Sequence, residues 1–172
     1  GFLKKTLPKI PIIALTATAD KATRQDIVEQ LNIPDATQFL SSFDRKNIAL
    51  EVRPGHNRIS QIIHFIEQRP GQSGIMYCLS RKSTEKLAEK LQHQGISAEA
   101  YHAGLDFVQR TKIQEDFIYD KTQVICATIA FGMGIDHPDV RLVVHYQMPA
   151  NIETFYQEMG RAGRDGKNST CL

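Results

Sequence analysis

"GIMYCLSRKSTEKLAEKLQHQGISAEAYHAGL", Gly74 to Leu105, sets two short apolar runs on either side of a helical pattern. "GIMYCL" and "SAEAY" read as strands. Between them Thr84, Leu87, Ala88 and Leu91 recur at i, i+3, i+4 and i+7, the spacing of one helix face. Strand, helix, strand is the repeating unit of a parallel sheet, and the rest of the chain continues it. "IPIIALTA" and "NIALEVR" precede this stretch and "QVICAT" and "RLVVHY" follow it, all apolar enough to be strands. Ile59, Ile62, Ile63 and Ile66 carry helical spacing, as do Ile152, Phe155, Tyr156 and Met159. Ile113 and Phe117 mark a further helix, with Asp106 as its N-cap and Gln109 three residues on; Asp20 caps another near the start. Strands apolar on both sides, alternating with helices, predict an α/β fold: a parallel sheet with helices on both faces.

Open parallel sheets bind ligands beyond the carboxyl ends of their strands. The loops expected there are rich in small, hydroxyl-bearing, glycine or basic residues: "LTATAD", "SRKST", "HAGL" and "TIAFGMGIDHPD". "GRAGRDG", which follows the last helix, is expected at the same edge. A domain break is expected near Pro34 to Asn47, a polar stretch with a proline and two serines. One strand and one helix cannot bury themselves, so residues 1–37 read as the tail of an upstream domain and 38–172 as a nearly complete one, truncated at its end.

Composition bounds the partners. Hydrophobic content of 41%, charged content of 23% and a net charge of +2 are ordinary for a soluble globular chain. Any nucleic-acid contact must then be local rather than a global basic field. No apolar run approaches a membrane span and the start lacks a signal-peptide core, so an intracellular, membrane-free setting is expected. Cys78, Cys126 and Cys171 lie far apart with no C-x-x-C pair, which argues against a zinc or redox site; the first two sit in apolar runs as small core residues.

The phosphate-binding motifs are informative by failing. Gly166-Lys167 is followed by Asn168 and preceded at the required distance by Arg161, so no Walker loop is present, and His137 stands where a dinucleotide fingerprint needs its third glycine. No acidic box for a metal follows a strand. What remains is a set of single candidates. Arg161 and Arg164 offer planar forks suited to phosphate oxygens in a glycine-rich turn, although such a turn is also an ordinary surface loop. Gln157 lies on the helix face leading into that turn. Gly134 lets the backbone approach a ligand, and Asp136 behind it either accepts hydrogen bonds from a ribose or an arginine or is a turn aspartate. Ser80 and Arg81 follow a strand and open a helix, where hydroxyl, guanidinium and free N–H groups suit a phosphate; Ser80 also suits a helix cap, and both roles are compatible. Thr128 stands in the same relation to "VICAT". His102 is a phosphate contact or a satisfied loop histidine. Thr16 and Thr18 present hydroxyls beyond a strand or are plain strand-end threonines. Glu158 and Asp165 are expected to orient the arginines rather than to bind metal.

"LTATA", "FDRKNI", "MYCLSRKSTEKLAEKL", "AYHAGL", "VICATIAFGMGIDHPDVRLVVHYQMP" and "YQEMGRAGRDG", in this order, resemble the RecQ family of superfamily-two DNA helicases over essentially the whole chain. The resemblance implies a RecA-like fold, with the end of a first lobe followed by most of the second. It implies ATP and Mg2+ held by groups upstream, Arg164 and Arg161 as catalytic arginines, and Gln157, Asp136, Gly134, Thr16 and Thr18 in the ATP site and its coupling. Ser80, Arg81, His102 and Thr128 become contacts to single-stranded DNA, and the expected activity is 3′ to 5′ translocation with unwinding at duplex junctions. Lys46 departs from the proline the family usually has in "FDRKNI", which is expected to loosen the junction between lobes; His137 or Asp139 departs from a common lysine or asparagine. Two rival readings remain: an accessory nucleic-acid-binding module without an ATPase, which a Walker loop upstream would exclude, and a lobe of an RNA helicase.

Overall fold

The computed structural model describes residues 2–16, 19–42, 44–128, 131, 137 and 139–172. The chain divides into two compact units, Gly1–Asp44 and Arg45–Leu172. In the first, α1 (Phe2–Thr6) and α2 (Lys21–Leu31) bury none of their residues. The Asp20 carboxylate accepts from the Thr23 N–H (2.7 Å) and caps α2, which ends on Asn32 in the left-handed region (φ 54°). The expected strand at "IPIIALTA" is absent from its described part: Pro11–Thr16 makes no ladder, and Ile13 and Leu15 are 81% and 91% exposed. Apolar patterning marks a segment able to join a sheet, but a strand exists only with a neighbour to bond, and no other described segment of this unit is a strand.

The second unit is a six-stranded parallel sheet in the order β1-β6-β5-β2-β4-β3. Its strands are β1 (Ile48–Leu50), β2 (Ser73–Tyr77), β3 (Ala98–Tyr101), β4 (Val124–Ala127), β5 (Val140–His145) and β6 (Ser169–Cys171). Every residue of β2 and β4 is buried, because the period-two alternation loads both faces. Ile75, Tyr77, Ile125, Ala127 and Val143 pack on one side with Phe117 and Met159, from α5 (Phe107–Ile118) and α6 (Ile152–Met159). Met76, Val124, Cys126, Leu142 and Val144 pack on the other with Phe65 and Leu87, from α3 (Arg58–Glu67) and α4 (Arg81–Gln92). This is the three-layer arrangement expected from the sequence. All three cysteines are free and buried, and burial pushes the Cys78 thiol up to about 11 and that of Cys171 up to about 12, so neither is a ready nucleophile.

Candidate functional site

In a parallel sheet, the loops leaving strands gather at one edge and the loops leaving helices at the other. From the sequence, all the phosphate-facing loops are expected at the carboxyl edge. For "GRAGRDG" that is corrected by the structure: this loop runs from α6 into β6, and its Gly163 N–H donates to the carbonyl of Val140, the first residue of β5 (2.9 Å). It is anchored at the amino edge.

The carboxyl edge brings Ser80, Arg81, His102 and Thr128 onto the adjacent strand ends of β2, β4 and β3. Ser80 caps α4, its Oγ accepting from the Ser83 N–H (3.1 Å), so the capping role holds. Arg81 lies exposed across the next loop: a Cβ added at Gly104 would come within 3.0 Å of Arg81 Nη1. His102 is buried with both ring nitrogens engaged, Nε2 at 3.1 Å from Glu85 Oε1 and Nδ1 accepting from the Gly104 N–H (3.2 Å). That is the satisfied loop histidine of the two readings; it shapes the loop and has no idle nitrogen. Thr128 is half-buried, and its N–H donates to the Tyr101 carbonyl (3.3 Å).

At the amino edge, α6 is capped by Asn151 and ends at Gly160, and the chain then folds tightly. Gly163 sits at φ +56° and Gly166 at +82°, and the Gly166 N–H closes a turn onto the Gly163 carbonyl (3.1 Å) with Arg164 and Asp165 at its tip. Arg164 is exposed and Arg161 half-buried, and the two line one shallow cleft with Phe131, His137 and Val140. The Tyr77 hydroxyl donates to the Phe131 carbonyl (3.3 Å). Burial pushes the Tyr77 phenol well above its ordinary range against the pull of Arg161 and Arg164. Asp165 turns its carboxylate to Arg141, which also pairs with Asp139. Hydrogen bonding from Arg141 holds the Asp165 carboxyl down to about 2. Glu158 is buried with its Oε2 3.0 Å from His145 Nε2, without the alignment of a hydrogen bond. Both acids were expected to orient Arg161 and Arg164; the partners seen here are Arg141 and His145. Gln157 is exposed on the last turn of α6. Thr16 is exposed and belongs to the first unit, while Thr18, Gly134 and Asp136 lie outside the described residues.

The family described as "Helicase conserved C-terminal domain" matches residues 57–166, which include both edges just described. The chain belongs to this family. Its relatives put the helicase lobe on the RecQ side: the ATP-dependent DNA helicase RecQ of Haemophilus influenzae is 48% identical over 96% of this chain and 27% of its own length. A protein of Acanthamoeba polyphaga mimivirus, named as an ATP-dependent RNA helicase, is 47% identical over 99% of this chain and 31% of its own. The chain thus spans less than a third of either relative. Among solved structures, Saccharomyces cerevisiae Dbp5 bound to RNA and ADP BeF3 superimposes with a TM-score of 0.77 at 23% identity, over 98% of this chain and 46% of that one, which establishes the RecA-like fold. No helix among the described residues is long and apolar enough to cross a membrane.

Several residues that build the helicase lobe's arginine turn went unread in the sequence. Arg141 is a charge inside a buried strand, a signal that a carboxylate must lie nearby. Tyr77 ends an apolar run with a polar tip, which calls for a partner. Arg45 and Asn47, in "FDRKNI", donate to the backbone of the turn from more than a hundred residues away. Their separation in sequence hides this.

Proposed function

We propose that this lobe is the second half of a RecQ-type, ATP-driven DNA helicase, with residues 1–37 as the end of its first RecA-like lobe and 38–172 as most of the second. The observation that best supports the reading is the placement of two basic sites at opposite edges of one sheet. Arg161 and Arg164 share a cleft at the amino edge, and Ser80, Arg81 and Thr128 stand at the carboxyl edge. A rigid lobe that touches nucleotide phosphates at one end and a strand's phosphates at the other converts closure onto the nucleotide into displacement along the strand.

The two arginine forks and the glycine turn fit the phosphates of ATP. The resemblance assigns Mg2+ to groups of the first lobe of the same protein. Bound ATP supplies the free energy of its hydrolysis. Arg164, exposed at the tip, is the finger that reaches the transferred phosphate, and Arg161, half-buried at the end of α6, braces the cleft. Gln157, Asp136 and Gly134 complete the ATP-facing side, and Thr16 and Thr18 link it to DNA. Single-stranded DNA is held by Ser80, Arg81 and Thr128, with His102 shaping their loop; translocation runs 3′ to 5′ and opens duplex junctions inside the cell. The fragment alone, without a phosphate cradle, turns over no ATP.

The test is steady-state hydrolysis by the intact helicase with saturating single-stranded DNA, paired with nucleotide-binding measurements. An arginine finger is worth about 10³ to 10⁵ in turnover. Arg164→Ala is expected to lose most of that while still binding nucleotide and DNA, and Arg164→Lys to rescue it poorly. Turnover within about threefold of the parent overturns the finger assignment, and a larger loss at Arg161→Ala exchanges the two roles. The mimivirus relative's name favours RNA as a second reading, and single-stranded RNA in the same assay decides it by stimulating as strongly as DNA or not.

A further inference from the structure

The turn that carries Arg164 does not hold itself. Arg45 Nη2 donates to the carbonyls of Ala162 (3.1 Å) and Gly163 (2.9 Å), and Asn47 Nδ2 donates to those of Gly163 and Lys167 (2.9 Å each). The amide's two hydrogens let one nitrogen tie the start of the turn to its end. The fit is close: a Cβ at Gly163 would stand 2.5 Å from Asn47 Nδ2 and 2.8 Å from the Lys167 carbonyl oxygen. Asn47 is itself fixed, because its carbonyl accepts the Ser169 N–H (2.9 Å) just before β1 pairs with β6.

We infer that Arg45 and Asn47 are positioning residues that set the reach of Arg164 by clamping residues 162–167 from the segment before β1. The inference rests on the finger role proposed for Arg164. Neither residue needs to touch nucleotide. Arg45 adds a donor to the Ala162 and Gly163 carbonyls in the turn beyond α6, and Asn47 fixes the span between the two ends of the turn. A misplacement of about 1 Å at a catalytic group is enough to lower turnover about 10²-fold.

The experiment uses the intact helicase with saturating single-stranded DNA. Asn47→Ala is expected to lower kcat about 10- to 100-fold with the KM for ATP within about threefold, and Arg45→Lys, which keeps the charge but not the fork, to lower it less. The decisive arm is the double variant. With Arg164→Ala already present, adding Asn47→Ala should lower kcat by less than about twofold, because the clamp then has no finger to place. A purely structural clamp would lower kcat by the same factor in both backgrounds. Additive losses, or a kcat within about twofold for Asn47→Ala, overturn the inference. If Asn47→Ala does not fold, Arg45→Lys alone and combined with Arg164→Ala carries the same test. If Arg164→Ala itself leaves turnover intact, the finger reading has failed, and that result is distinct from failure of the clamp.

Discussion

The two edges of the sheet differ in how their candidate residues are held. At the carboxyl edge the side-chain contacts of Ser80 and His102 are local: Ser80 caps its own helix three residues on, Gly104 bonds His102 two residues back, and His102 reaches Glu85, 17 residues away, while longer ties there run from the Leu79 N–H to Gln147 Oε1, 68 residues apart, and from the Thr128 N–H to the Tyr101 carbonyl. At the amino edge the arginine turn is held from 117 residues away by Arg45 and from 24 by Arg141. Local contacts come with each strand-loop-helix unit and can be exchanged one at a time. Long-range contacts assemble only when the whole lobe is folded, and they suit a side chain whose position must not drift. Under the proposed roles, a surface for a sliding strand would use the first kind and a finger for one phosphate the second.

Arginine-to-alanine variants give the largest expected contrast. Beside the loss of about 10³ or more expected at Arg164, Arg81→Ala should weaken single-stranded DNA binding by less than about tenfold and reduce the salt slope by about one, since one phosphate contact is removed. Both are read in the intact helicase by hydrolysis and by equilibrium binding at several salt concentrations. An Arg81→Ala variant that binds DNA normally yet hydrolyses as poorly as Arg164→Ala would break the division between edges.

Glycine offers a matched test of rigidity. Gly163→Ala forces a side chain onto φ +56° and into backbone at 2.8 Å, and should destabilise by about 1–3 kcal/mol from conformational strain before any displaced contact is counted. Gly104→Ala meets the Arg81 side chain at 3.0 Å from Nη1, an arginine end that can move aside, and the buried His102 Nδ1 at 3.1 Å, which must give by only a few tenths of an ångström, so a smaller loss, of about 1 kcal/mol, is expected. Denaturant unfolding of the two variants measures the difference, and equal losses would show that the amino-edge turn is no more tightly held.

Acid should act on one edge first. The Asp165 carboxyl is held at about 2 by Arg141, below its ordinary value near 3.9. Its folded-state pKa is depressed, so its contribution to stability is complete above about pH 4 and is lost as pH falls toward 2. Amide signals of Gly163, Gly166 and Lys167 should shift across that window while that of Gly104 holds, and Asp165→Asn should remove the transition. A simultaneous shift at both loops would mean global unfolding and not release of the turn.

These contrasts also explain what the sequence could and could not show. β2, β4 and β5 were legible because their residues are buried on both sides, and the helices because their caps and apolar spacing are local. β6 was not, since Ser169–Cys171 is three residues long and gains its strand character only by pairing with β1 and β5. Ile10 to Thr16 shows the reverse, an apolar pattern without a described partner strand. The edge assigned to "GRAGRDG" failed for a reason the order of elements already contained: a loop that leaves a helix returns to the amino ends of a parallel sheet. The candidate residues were chosen by type, Arg161 and Arg164 in a glycine turn and Ser80 at a helix start. The residues that hold the arginine turn, Arg45, Asn47 and Arg141, were not, because sequence spacing carries no information about a hydrogen bond between residues 47 and 163.

The smallest expected effect concerns Lys46, the position where the RecQ pattern usually has proline. Lys46 and Asn47 are the central residues of a turn closed by the Ile48 N–H on the Arg45 carbonyl (2.9 Å), and Lys46 is exposed. The second position of such a turn favours the fixed φ of proline. Lys46 thus leaves the turn in place and loses only the restriction that proline would put on the unfolded chain, a difference of about 0.4–1 kcal/mol. Lys46→Pro should therefore raise the unfolding free energy by that amount and, by stiffening the two residues of the clamp on either side of it, leave turnover unchanged or slightly higher. Ala103 holds the same place in the carboxyl-edge turn closed by the Leu105 N–H on His102 (3.1 Å) and is also exposed, so Ala103→Pro should stabilise similarly with no change in hydrolysis. Thermal unfolding and hydrolysis of both variants separate the contributions. A Lys46→Pro variant destabilised by more than about 1 kcal/mol would show that the turn before β1 needs a backbone geometry proline cannot adopt, and that the lysine is there to permit it.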